Sequence, residues 1–187
     1  AMESRGLGDV YKRQKEYLDK ERIGFITRKY SDHLMYSVNF IDEKNEPETL
    51  NKASAIWTRE KKDISAEQYE EFYKQIGAGF DKPLLTLHNK VEGTLSYINL
   101  LFIPGSRPFD LFQMDVKSKI KLYSNRVLIT DDSESILPRW LRFVKGIVDT
   151  SDVDLNVSRE MLQHNVTLNK ISTALKKRVI NELKKLK

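Results

Sequence analysis

One segment, residues 94–103, constrains the fold more than any other part of the sequence. Its second half is a run of apolar residues at positions 100–103, so a strand formed there would be apolar on both faces. Such a strand is typical of the middle of a sheet that is covered on both sides. Because strand-like and helix-like segments alternate along the chain, the sequence predicts an α/β fold in which helices cover a sheet.

The other elements are predicted from the spacing of apolar residues and from capping signals. Ser65 followed by Gln68 is a capping box, and the helix that it begins should end at Gly77. Two further strands are expected over 35–41 and 120–130, and a loop over 42–51. Helices are expected over 15–30, over 138–148 after Pro138, over 158–165, and over 166–187.

The composition excludes several classes of protein. The chain has 187 residues and no cysteine, which excludes disulfide scaffolds, zinc ribbons and thiol nucleophiles and fits a reducing compartment. Its apolar runs fall far short of the roughly 20 residues that cross a bilayer. Residues 1–14 have no apolar period, and 9–14 match the translation of a sequencing adaptor, so we expect a non-native extension there.

The positive charge is concentrated at one end. Residues 166–187 contain seven basic residues and one acidic residue, a net charge of +6, so the remainder carries −1 of the total of +5. A basic helix can bind the phosphates of a nucleic acid. More often it is a solvated face or complements an acidic neighbour, and both interpretations stay open at this point.

The usual catalytic motifs are missing from the sequence. It has no GxxxxGK[ST] or GxGxxG loop and no HExxH or GxSxG motif. His33, His88 and His164 lie far apart without ligand spacing, so surface or packing roles are expected and no metal site is predicted. The acidic cluster over 149–154 is explained by capping and turns. The chain is therefore not predicted to be a self-contained enzyme.

Arg159 stands out because it follows Ser158, a predicted helix N-cap. A cation in the first helical turn is disfavoured by about 0.3–1 kcal/mol, which makes sense if an external anion binds there. Gln163 lies one turn later on the same face. The alternative is an ion pair between Arg159 and Asp152 or Asp154.

Residues 155–163, LNVSREMLQ, closely resemble a signature of the heat-shock protein 90 chaperone family. Further blocks resemble the family in the same order, and HNKVEG at 88–93 is most similar to its bacterial, high-temperature protein G type. These blocks are 55–59, 70–73, 88–93, 101–104, 108–112, 121–123, 126–127 and 141–149.

The resemblance covers only the first part of the family's middle domain. It implies a three-layer α/β/α sandwich around a mixed sheet, of the left-handed β-α-β type, with a short helix and a basic C-terminal helix. The implied organisation is an extension at 1–14, a linker from an N-terminal ATP-binding domain at 15–30, and the large middle subdomain at 31–187.

The resemblance also implies roles for five residues. Arg159 would contact the γ-phosphate of ATP and act with Gln163 in catalysis, and Asn156 would also lie at the γ-phosphate. Trp57 would contact client proteins, unless it is a buried aromatic anchor. Phe109 would help to position the catalytic loop.

The implied cofactor is ATP with Mg²⁺, bound mainly by the N-terminal domain. The implied partners are that domain, unfolded or partly folded clients, co-chaperones and a second copy of the full-length protein. The resemblance implies a cytoplasmic chaperone with no activity from this segment alone. A nucleic-acid-binding module that uses the basic helix is the alternative.

Overall fold

The structure is a computed structural model that describes residues 17, 19–41, 46–77, 81–108, 119–131, 136–153, 162 and 165–186. The chain forms two compact units, Ala1–Ala55 and Ile56–Lys187. Among the residues described, no helix is long and apolar enough to cross a membrane. The division into 1–14, 15–30 and 31–187 stays a prediction.

The first unit contains a helix and a two-stranded antiparallel sheet. Helix α1 (Lys20–Ser31) begins at Asp19, whose Oδ2 accepts a hydrogen bond from the Arg22 amide at 3.2 Å. Strands β1 (Asn39–Ile41) and β2 (Pro47–Thr49) pair with each other. The strand predicted over 35–41 is therefore shorter than expected, and the loop predicted over 42–51 includes a strand.

The second unit is a mixed five-stranded sheet with a helix on each face. Its strands follow the order β3-β4-β7-β5-β6, in which β5 runs parallel to β7 and the other neighbours are antiparallel. The helices are α2 (Ala66–Gln75) and α3 (Val166–Lys184), and the strands are β3 (Pro83–Val91), β4 (Tyr97–Pro104), β5 (Lys119–Ser124), β6 (Val127–Thr130) and β7 (Lys145–Thr150).

Strand β4 is buried on both faces, as predicted from its apolar run. Leu101 belongs to the core on the face covered by α3, together with Leu168 and Leu175 of that helix. On the opposite face Phe102 packs against Phe72 and Tyr73 of α2, with ring centroids 6.3 and 5.4 Å apart. The predicted α/β class is thereby confirmed, and the handedness of the β-α-β connection stays a prediction.

Both capping predictions for α2 are confirmed. The Gln68 amide donates to Ser65 Oγ at 3.3 Å, and the Ser65 amide donates to Gln68 Oε1 at 3.0 Å. The helix ends at Gln75, and Gly77 follows with a φ of +69°, a conformation that glycine adopts at low cost. The predicted C-terminal helix is confirmed as α3, capped by Asn165.

The prediction of a helix over 138–148 is wrong. A single 3₁₀ turn at Arg139–Leu141 is followed by β7, and the Trp140 side chain is 60% exposed. The apolar spacing is compatible with a helix, but residues 145–150 are buried throughout between β4 and β5. A fully buried strand carries a near-continuous apolar run that spacing cannot distinguish from a helix.

Two other strand predictions need correction. The single strand predicted over 120–130 is a hairpin of β5 and β6, because Asn125 and Arg126 adopt φ values of +48° and +68° and reverse the chain. Strand β3 was not predicted at all. The predicted helix start at Ser158 lies outside the described residues.

Candidate functional site

Four of the five predicted site residues lie outside the described part of the chain. These are Phe109, Asn156, Arg159 and Gln163, and their roles stay predictions. The structure does describe both ends of the segment that holds Asn156 and Arg159. Val153 before it and Leu162 after it are buried in the core of the second unit, with 2% and 4% of their surfaces exposed.

Trp57, the fifth predicted residue, is buried on the α2 side of the sheet. It lies in a 3₁₀ turn, Ile56–Thr58, and is 1% exposed. Its ring centroid is 5.8 Å from that of Phe72 and 5.0 Å from that of Tyr123. In this structure Trp57 is the buried aromatic anchor of the two alternatives, while a contact with clients stays a prediction.

Asp149, which belongs to the acidic cluster that the sequence analysis explained by capping and turns, is a buried carboxylate. It lies in β7 and is 6% exposed. Trp57 Nε1 donates to its Oδ2 at 2.9 Å, and the Arg126 amide donates to its Oδ1 at 3.2 Å. Each carboxylate oxygen thus fixes a different piece of chain, the turn at Trp57 and the hairpin at Arg126.

Several hydrogen bonds hold the residues that follow Asp149. Thr150 Oγ1 donates to the Ser96 carbonyl at 2.8 Å, and the Ser96 amide donates to Asp152 Oδ2 at 2.8 Å. Ser124 Oγ donates to the Val153 carbonyl at 2.6 Å. We call residues 149–153 the stem, because they lead into the segment that contains Arg159. The stem is tied to the ends of β4 and β5.

A solvent-open cavity of about 500 Å³ lies beside the stem. Asp149, Thr150 and Ser151 form part of its wall, and Lys90 and Arg126 bring positive charge to it. Among the residues that the structure describes, no three carboxylate or imidazole groups are close enough together to hold a metal ion.

A second carboxylate, that of Asp81, holds a residue that precedes Phe109 in sequence. Asp81 accepts from the Tyr73 hydroxyl at 3.0 Å and from the Ser106 amide at 2.7 Å. Burial raises the pKa of Asp81, but the bonds from Ser106 and Tyr73 outweigh it and the net shift is downward. Asp81 therefore fixes the chain three residues before Phe109, in its charged form.

His88 connects α2 to the turn that carries Trp57. Its Nε2 lies 2.8 Å from the Trp57 carbonyl oxygen, which can only accept, so Nε2 donates. Its Nδ1 lies 2.7 Å from the Tyr69 hydroxyl, which donates to the neutral ring. The expected packing role of this histidine is confirmed. Burial lowers the pKa of His88, and its hydrogen bond to Trp57 opposes this only in part.

The stability of the second unit should therefore depend on pH through His88. Its folded pKa is below the ordinary value of 6.5, so the unfolded chain binds the proton more readily. The stabilisation is complete above pH 6.5 and is lost as the pH falls below it, with a slope of at most about 1.4 kcal/mol per pH unit. We expect the melting temperature to fall between about pH 7.5 and about pH 5.5.

Two substitutions test this assignment. In His88→Gln the change in melting temperature between the two pH values should shrink, because no group titrates at that position. His33→Gln, in the first unit, should leave the change as it is in the parent. An unaltered pH dependence in His88→Gln would show that another group is responsible.

The family model and the individual relatives that match this chain point to the same protein family. A family model described as "Hsp90 protein" matches residues 41–187. A "Chaperone protein HtpG" of Paramagnetospirillum magneticum is 54% identical over 170 residues, which are 91% of this chain and 27% of that protein. The protein of the same name from Rickettsia canadensis is 49% identical over 180 residues, 96% of this chain and 29% of that protein. The chain thus spans less than a third of the length of these relatives.

Proposed function

The chain belongs to the Hsp90 family, and on this basis we propose that it is the middle-domain segment of an ATP-dependent molecular chaperone. The observation that carries the proposal is the match of 91% of the chain to a protein named as a chaperone, at 54% identity. The segment assists protein folding by binding unfolded or partly folded clients and by completing an ATPase site.

The ATP is held mainly by another domain. No phosphate-binding loop occurs in the sequence, and in keeping with the family we assign ATP and Mg²⁺ to the N-terminal domain of the full protein. The middle segment supplies Arg159 to the γ-phosphate, where a guanidinium stabilises the charge of the transferring phosphoryl group. Asn156 and Gln163 complete this contribution.

The described residues on either side of Arg159 support its proposed role at the γ-phosphate. Only eight residues separate Val153 from Leu162, and both are buried in one core. Both ends of the segment with Arg159 are therefore fixed, and catalytic groups are commonly positioned by a rigid scaffold.

The proposed partners follow from the family. They are the N-terminal ATP-binding domain, clients, co-chaperones and a second copy of the full-length chaperone, in the cytoplasm. Membership of the Hsp90 family favours this function over nucleic-acid binding by the basic helix α3.

A reconstitution experiment tests the proposal. The chain alone should show no ATP turnover above background, because it has no loop to bind the phosphates. Added to the isolated N-terminal domain of an HtpG relative, it should raise that domain's turnover, while the heat-unfolded chain should not. Turnover by the pure chain that disappears on a substitution within it would refute the proposal.

A further inference from the structure

We infer that Asp149 is a positioning residue for the proposed catalytic arginine, and that it acts together with Trp57. The inference rests on the proposed function of Arg159. It assigns a role to a buried carboxylate and an indole N–H that are hydrogen-bonded to each other. Their hydrogen bond joins the start of the stem to the turn at Ile56–Thr58.

The first step of the argument concerns the carboxylate itself. Leaving a charged group buried is costly unless hydrogen bonds satisfy it. Asp149 meets this condition with the Trp57 indole at 2.9 Å and the Arg126 amide at 3.2 Å. An apolar residue at this position would need no hydrogen-bond partner. A buried carboxylate does need partners, so it requires the Trp57 indole and the Arg126 amide to lie within hydrogen-bonding distance.

The second step concerns the direction of the chain beyond Asp149. The stem crosses the ends of β4 and β5 and is tied to Ser96 and Ser124. Val153, the last residue of the stem, is buried, and Arg159 follows six residues later. The hydrogen bonds of Asp149 thus fix the start of the stem, and those of Ser96 and Ser124 hold the rest of it up to the segment that carries Arg159.

The third step concerns Trp57. Its ring is packed between Phe72 and Tyr123, and its carbonyl oxygen accepts from His88 at 2.8 Å. These contacts immobilise the indole N–H that Asp149 accepts. Because a misplacement of about 1 Å can cost about 10²-fold in rate, a fixed stem matters more for turnover than for ATP binding, which occurs on another domain.

The test uses the chain completed with the N-terminal and C-terminal domains of an HtpG relative. Asp149→Asn replaces one of the two accepting oxygens by an NH₂ group. Either the Trp57 indole or the Arg126 amide then loses its acceptor. Trp57→Phe keeps an aromatic ring and removes the indole donor. We expect each change to lower kcat about fivefold or more while KM for ATP stays within about twofold, and the double variant to be no worse than the poorer single variant.

Three comparisons distinguish positioning from loss of stability. Val179→Ala, in the core under α3, lowers the melting temperature without touching the stem, so its kcat per folded molecule should not change. In an Arg159→Ala background, Asp149→Asn should cause no further loss of turnover. In the chain without the added domains, Trp140→Phe leaves Trp57 as the only tryptophan, and Asp149→Asn should change the tryptophan emission.

The outcomes separate this inference from the proposed function. If Arg159→Ala lowers kcat but Asp149→Asn and Trp57→Phe do not, the positioning role is wrong and the function of Arg159 stands. A further loss from Asp149→Asn in the Arg159→Ala background would also overturn it. If Arg159→Ala leaves kcat unchanged, the proposed function fails, and this inference fails with it.

Discussion

Arg159→Ala in the completed chaperone is expected to lower ATP turnover at least about tenfold, equivalent to about 1.4 kcal/mol of barrier. Arginine fingers contribute on the order of 10³–10⁵ in GTPases, but domain closure that also limits turnover reduces the apparent effect. The melting temperature of the second unit should stay the same, because a cation in the first turn of the helix predicted to begin at Ser158 would contribute no stability of its own. Turnover, ATP affinity and melting are measured together.

Two further variants serve as controls for Arg159→Ala. Arg159→Lys should recover little of the loss, since a point charge does not replace a planar guanidinium. Arg178→Ala, which removes an exposed arginine of α3, should leave turnover unchanged. Arg159→Ala could instead unfold the second unit and lower turnover only in proportion to the unfolded fraction. The alternative role of Arg159, an ion pair with Asp152 or Asp154, would then be correct.

Gly146→Ala is expected to be the most destabilising single methyl addition among the glycines that the structure describes. The new Cβ would lie 2.1 Å from the Leu100 carbonyl oxygen and 2.8 Å from Leu101 Cα, and the residue has a φ of +144°. Strain of about 1–3 kcal/mol from the backbone adds to about 1–3 kcal/mol or more from overpacking. Against a total stability of about 5–15 kcal/mol, the second unit should be marginal or unfolded.

Gly93→Ala is a matched control for this prediction. Gly93 has a similar φ of +149°, but a Cβ there would meet nothing within 4 Å. It therefore carries the same conformational strain without the clash, and the difference in denaturation midpoint between the two variants measures the close approach of β7 to β4. If the two substitutions lower the denaturation midpoint equally, strands β4 and β7 do not approach each other as closely as Leu100 and Gly146 do in this structure.

The candidate site was only partly predictable from the sequence. The family motif gave the expectation for Arg159, but nothing in the local pattern indicated that Asp149 is buried. An aspartate beside serine and threonine ordinarily indicates a turn. A possible signal was the apolar run just before it, at 146–148, which together with Thr150 could have been interpreted as the end of a buried strand. Even then, its partners Trp57 and Arg126 are too distant in sequence to be deduced.

The features that depend on neighbouring residues could be predicted without the structure. The capping box at Ser65, the amphipathic α3 and the burial of β4 on both faces all follow from contacts within a few positions or from apolar content. The same holds for the α/β class, because alternation of strand and helix patterns leaves few ways to cover a sheet.

The conformation of residues 138–148 and the burial of Asp149 depend on contacts with distant parts of the chain. The apolar spacing there fits a helix, yet β7 forms because β4 and β5 bury it on both sides and Gly146 lets the backbone of β4 approach. Such pairing depends on contacts between distant parts of the chain, which outweigh weak local propensities. For the same reason the hydrogen bond between Trp57 and Asp149, ninety-two positions apart, exists only once the sheet has formed.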